Sequence, residues 1–193
     1  MTTATPAPPV DVDLVVEAAR AAAADPAREF GSFFLTRFLD LGITYDDDEQ
    51  TCTVVLPYAA HLCNPQGSVH GGVVTTALDI SMGHLCHRFL STAVTIEMQM
   101  RFFRPLTGTG TCTGRLVRAG RRIVHLESRM TDEDGRLTAM GSGSWHRARF
   151  CRPPCRSGVR RGWRWRPASR CCPSSLASRC SNLGKRGAPA RRA

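Results

Sequence analysis

Residues 1–147 contain no lysine, and residues 148–193 contain no acidic residue. This double absence accounts for a formal net charge of +10 that would otherwise direct attention to nucleic acid or a membrane surface. The first 147 residues carry 13 arginines against 16 acids, a net of −3, whereas the rest carry 12 arginines and Lys185, a net of +13. The basicity therefore belongs to a tail. Also missing is any run near the ~20 apolar residues that a membrane-spanning helix needs. Met1 to Pro9 has no basic residue and no apolar stretch follows it, so the form of a secretory signal is absent. Cys52, Cys63, Cys86 and Cys112 lack paired metal-ligand spacing and sit in apolar or alternating runs, as small buried residues do in a reducing compartment. The expectation is a cytoplasmic protein with no metal and no membrane contact.

What remains is one ordinary domain with extensions: 193 residues, 42% of them hydrophobic. Residues 1–12 hold few anchors and are expected to be disordered. Asp13 to Ala24 is Ala-rich with Leu14, Val15 and Ala18 on one side, which predicts a helix. Asp25-Pro26 breaks it, and Pro26 suits the first position of another turn over Ala27 to Thr36. Leu39 to Tyr45 and Thr51 to Leu56 alternate on either side of an acidic turn, which predicts a hairpin. Val73 to Leu90 has helical period and length with no proline. Four strand-like runs follow, Ala93 to Phe103, Gly110 to Arg118, Ile123 to Thr131 and Leu137 to Trp145, separated by connectors with turn chemistry. A lone helix in the order β-β-α-β-β-β-β is covered on all sides only if an antiparallel sheet curls around it, an α+β architecture.

Between hairpin and helix, Asn64 to Gly72 reads N-P-Q-G-S-V-H-G-G, and Asp79 follows His70 by nine residues. Free N–H groups at a helix start, aided by the helix dipole, suit a developing oxyanion. Gly71 and Gly72 let a carbonyl approach the backbone there. A nine-residue helical interval gives ~13.5 Å of rise and about 180° of rotation, which turns Asp79 away from the His70 end of its own helix. One chain could not easily bring both to one carbonyl, whereas a two-fold partner with an antiparallel helix could. Gly72, Thr75, Thr76, Asp79, Gly83 and Cys86 form a small-residue stripe open to a second backbone, a thin ligand or a sheet. Burial at such a surface would raise the pKa of Asp79 and favour a base or nucleophile role.

Asn64 to Asp79, Val94-Thr95-Ile96-Glu97, Phe102-Phe103-Arg104-Pro105 and Arg118 to Arg122, in that order, resemble a PaaI-type hotdog-fold acyl-CoA thioesterase over roughly Phe30 to Trp145. The resemblance implies a sheet wrapped around one central helix and a domain over 30–147. Residues 1–29 are then an N-terminal extension and 148–193 a basic tail. It also implies hydrolysis of an acyl-CoA with no cofactor beyond the coenzyme A of the substrate. Gly71 N–H would be the principal oxyanion donor and His70 would fix the turn. Asn64 would hold the carbonyl or the water. Asp79 and Thr95 would come from the partner chain of a homodimer, with dimer against tetramer left open. Gly72 and the arginines Arg104, Arg118, Arg121 and Arg122 would meet the coenzyme A moiety and its phosphates. Each residue also has a plainer reading: a turn for Asn64, β-propensity for Thr95, a solvated hairpin for the arginines.

Other motifs carry less. His84, Cys86 and His87 do not share one helical face, so they are not read as a metal site. Gly108-Thr109-Gly110 lacks the rest of a phosphate loop, and Ser68 lacks a nucleophile elbow. The tail's Arg160 to Arg166 interleaves arginine with Trp163 and Trp165, the one feature suited to RNA or an anionic surface. Its abrupt composition suggests an out-of-frame read, and disorder is expected there. The rival functions are an acyl-CoA binding protein without turnover, a nucleic-acid binder acting through the tail, and a dehydratase on the same fold.

Overall fold

Asp11 starts the first helix by accepting the N–H groups of Asp13 and Leu14, at 3.1 and 3.2 Å, in the computed structural model, which describes residues 8–26 and 29–147. This helix, α1, spans Val12–Ala24 and ends at Asp25, which is extended as a residue before proline must be. Pro26 does not open a second helix. The next one, α2, is only Phe34–Phe38, and Ala27 and Arg28 lie outside the described residues. Arg37 ties α2 back to α1: it donates to the carbonyls of Ala22 and Asp25, at 3.1 and 2.6 Å, and pairs with the Asp25 carboxylate at 3.3 Å. The expected boundary at residue 29 is therefore bridged by polar contacts.

Strand β1 is Gly42–Asp46, later than the expected Leu39 to Tyr45, because Leu39 closes α2 and Asp40 turns with φ 51°. It pairs with β2, Thr51–Leu56, through a turn in which Asp46 accepts the N–H groups of Asp48 and Glu49. The central helix α3 spans Gly71–Phe89, two residues earlier at its start than the hydrophobic period alone gives. Strands β3 (Ala93–Phe102), β4 (Gly110–Ala119), β5 (Ile123–Thr131) and β6 (Leu137–Arg147) follow.

All pairings are antiparallel and the strand order is β1-β2-β4-β5-β6-β3. The sheet wraps α3, which touches β2 to β6. Inward residues alternate along β5, as Val124, Leu126, Ser128 and Met130, and this side of the sheet meets Ala77, Leu78, Met82 and Leu85 of the helix. The first strand after the helix, β3, lies at a sheet edge, with Val94, Ile96 and Phe102 about half exposed. Among the described residues no helix is long and apolar enough to cross a membrane. The tail, with the expectations of disorder and RNA binding, lies outside them.

Candidate active site

The Asn64 to Gly72 segment is held by its own backbone. Asn64 N–H donates to the Ser68 carbonyl at 2.8 Å, and Gly67 N–H to the Asn64 carbonyl at 3.0 Å. Gly67 has φ +81°, which explains glycine at that turn, and Tyr58 Oη donates to its carbonyl at 2.9 Å. Val69 N–H then reaches Leu106 and His70 N–H reaches Leu62, both at 2.8 Å. His70 is thereby fixed extended, as the N-cap of α3.

The cap decides which N–H groups remain open. His70 Nδ1 accepts the Gly72 N–H at 3.0 Å, so the ring proton of the neutral imidazole sits on Nε2. The His70 carbonyl accepts from Val73 and Val74, at 2.9 and 3.2 Å. Gly71 N–H alone in this first turn has no partner among the described residues. Gly72, expected to face the substrate, has its donor engaged by His70. A methyl group on Gly71 would lie 3.5 Å from the Phe102 ring, an ordinary contact.

Gly71 opens onto a cleft of about 360 Å³ shared with Asn64, Val74, Phe102, Phe103, Arg104 and Leu106. Asn64 is largely occupied in shaping its own loop: Oδ1 accepts from Gln66 and Ser68 N–H, and Nδ2 donates to Ser68 Oγ at 2.9 Å. That leaves one amide hydrogen for a ligand. Arg104 donates from Nη1 to the Leu137 carbonyl at 2.9 Å, which holds it at the rim. A larger cleft of about 780 Å³ lies between α1 and residues 29–37 and contains none of the expected site residues. Phe102 lines the Gly71 cleft, Phe33 and Phe34 line the larger one, and Met82 is core.

Asp79 is elsewhere. It is half-buried on α3, and Thr95 Oγ1 donates to its Oδ1 at 3.2 Å. Burial pushes its carboxyl above the usual range, and the Thr95 hydrogen bond opposes that shift. The expected half-turn of phase from His70 does not hold, because His70 is extended and the helix starts at Gly71. Eight residues from Gly71 give ~12 Å of rise and about 80° of rotation. The separation along the axis survives. Phe102 beside Gly71 and Thr95 beside Asp79 stand at opposite ends of β3, roughly 20 Å apart along the strand.

The same division splits the arginines. Arg118, Arg121 and Arg122 are exposed around the β4–β5 turn, and none pairs with an acid among the described residues. Through the pairs Ile123 with His146 and His146 with Val94, that turn lies at the Thr95 end of the sheet. Arg104 lies at the Gly71 end. His84, Cys86 and His87 diverge: His84 bonds Tyr45 Oη at 2.8 Å inside the fold, Cys86 is buried, and His87 stacks on Phe30 at 3.8 Å. The engagement of the Gly72 N–H by His70 and a bulge in β3 between Thr95 and Glu97 were not anticipated from sequence.

Residues 66–139 match the model of the thioesterase superfamily. The conserved protein PA5202 of Pseudomonas aeruginosa is 32% identical over 64% of this chain and all of its own, with TM-score 0.56. BH2602 of Bacillus halodurans, solved with CoA, is 25% identical over 72% of this chain and 91% of its own, with TM-score 0.61. The PaaI protein of the E. coli phenylacetic acid degradation operon is 21% identical over 69% of this chain and 93% of its own, with TM-score 0.57.

Proposed function

We propose that this chain, a hotdog-fold member of the thioesterase superfamily, is of the PaaI type and hydrolyses an acyl-CoA thioester to free coenzyme A and a carboxylic acid. The observation that carries this reading is the open Gly71 N–H at the start of α3, facing a cleft of a size suited to a small acyl group. The thioester carbonyl accepts from Gly71 N–H, where the helix dipole favours the charge that develops on oxygen. His70 keeps the turn in shape through the Gly72 N–H, and Asn64 offers its remaining amide hydrogen to the carbonyl or the water.

Asp79 supplies the other half. It removes a proton from the attacking water, or it attacks the carbonyl itself to give a mixed anhydride that water then hydrolyses to the acid, and Thr95 orients it. Breakage of the C–S bond releases the coenzyme A thiol, which takes a proton. The two halves meet when a second copy brings its Asp79 to this chain's Gly71, so a homodimer with two composite sites is the smallest active unit. The stripe at Gly72, Thr75, Thr76, Asp79 and Gly83 is the open side of α3, and β3 is an exposed edge beside it, which suits this arrangement. Arg104 from one copy and Arg118, Arg121 and Arg122 from the other offer charge to the phosphates of coenzyme A. BH2602 was solved with CoA, which supports that ligand. The reaction as written uses no metal and no cofactor.

The purified protein is expected to release thiol from some members of a panel of aryl, short-chain and medium-chain acyl-CoAs, and Asp79→Ala to abolish release. Tight acyl-CoA binding with no thiol release would favour a binding protein instead.

A further inference from the structure

Inward residues of a regular strand recur every second position. In β3 the inward set is Met98, Met100 and Phe102, opposite Gly143, Gly141 and Ala139 of β6. Continued back without interruption, that phase would turn Ile96 and Val94 inward and Thr95 outward. Thr95 nevertheless pairs with buried Trp145 and reaches Asp79 on the helix side. The phase is reset by a bulge: two steps, Thr95 to Glu97, face the single step from Trp145 to Ser144, and Ile96 is the extra residue. Gly143 accommodates it, since a methyl group there would lie against the Glu97 carbonyl.

The bulge is fastened on the outer face. Ser144 Oγ donates to Glu97 Oε1 at 3.2 Å and contacts His125 Nδ1 at 3.0 Å. A hydroxyl has one hydrogen, so with that hydrogen on Glu97 the His125 Nδ1–H must be the donor to Ser144. The chain His125 to Ser144 to Glu97 ends on a carboxylate, which strengthens both links. The other charged or titratable groups of this face are Arg115 and Arg118 on β4, Glu127 and Arg129 on β5, His146 on β6 and Arg101 on β3.

We propose that Glu97, held by Ser144, is a positioning residue that locks the bulge at Ile96 and so turns Thr95 inward to hydrogen-bond Asp79. The inference rests on Asp79 being the reacting acid, but its test does not need turnover. The carboxyl of Asp79 is followed by carbon-13 NMR through a pH titration of the full chain, its signal identified by its loss in Asp79→Asn. Thr95→Val is expected to raise the titration midpoint by about one pH unit, the worth of a lost hydrogen bond to a charged group. Glu97→Leu and Ser144→Ala are expected to give the same rise, and Glu97→Gln, which keeps an acceptor for Ser144, the wild-type midpoint. Glu97→Leu combined with Thr95→Val adds nothing further. Wild-type midpoints in both Glu97→Leu and Ser144→Ala overturn the proposal. Should Glu97→Leu fail to fold, Ser144→Ala decides alone. Absence of thiol release from the wild type would sink the catalytic reading and leave this titration unaffected.

Discussion

Gly71 and Asp79 each make a distinct demand on a single residue. Position 71 is the first of α3, where proline is tolerated, and His70 already has the backbone that precedes a proline, φ −61° and ψ 135°. Gly71→Pro should therefore fold, yet it lacks the N–H proposed to hold the oxyanion. The expected result is a near-native melting temperature with kcat lower by about 10²–10³-fold, the usual loss for one oxyanion donor. Gly71→Ala keeps the N–H and is expected to fall between that variant and wild type. Asp79 carries the opposite balance. Its folded pKa is raised by burial, so between the unfolded value and the raised one the folded state binds more protons. Stability is then fully present below the unfolded pKa and is lost as pH rises through the folded one. Asp79→Asn is expected to melt higher than wild type at neutral pH while releasing no thiol, and the gain should vanish at acid pH. Thermal melts at several pH values check both.

At the scale of elements, the junction of β1 with α3 contains a second acid-sensitive group. His84 is 2% exposed, bonds Tyr45 through Nδ1 and has no partner for Nε2 among the described residues. Burial lowers its pKa to about 4, and His87 adds to the shift. Between pH 6.5 and 4 the unfolded chain binds the extra proton, so stability present above 6.5 is lost as pH falls through this window. The loss is at most about 3 kcal/mol. Urea midpoints measured from pH 7 to 4 should fall, and His84→Gln should flatten the slope.

Elements also show what the sequence could and could not carry. The starts of β2 and β5 and the order of the elements were legible because alternation and turn residues act locally. The start of α3 was missed by two residues because His70 supplies a cap that the hydrophobic period cannot register. The same cap voided the half-turn argument for Asp79. The resemblance already puts Thr95 with Asp79, but the bulge that turns Thr95 toward the helix depends on β6, a strand some fifty residues away in sequence, and pairing of that kind leaves no local trace. The loop-shaping role of Asn64, by contrast, was open to reading from Asn64-Pro65-Gln66-Gly67 alone.

For the whole molecule, the central claim is that one chain holds two unlike half-sites and that each is completed by a second copy. The Gly71 cleft with Arg104 lies at one end of β3, and Asp79, Thr95 and the Arg118 to Arg122 turn lie at the other. A mixed dimer of two inactive chains tests this most directly. Chains bearing Gly71→Pro and Asp79→Ala are co-expressed with different affinity tags, and the doubly tagged dimer is assayed for thiol release. One of its two sites would combine an intact Gly71 with an intact Asp79, so the account predicts about half the wild-type activity, from parents that have almost none. Activity no higher than that of the parents, in a dimer confirmed by native mass spectrometry, would contradict it.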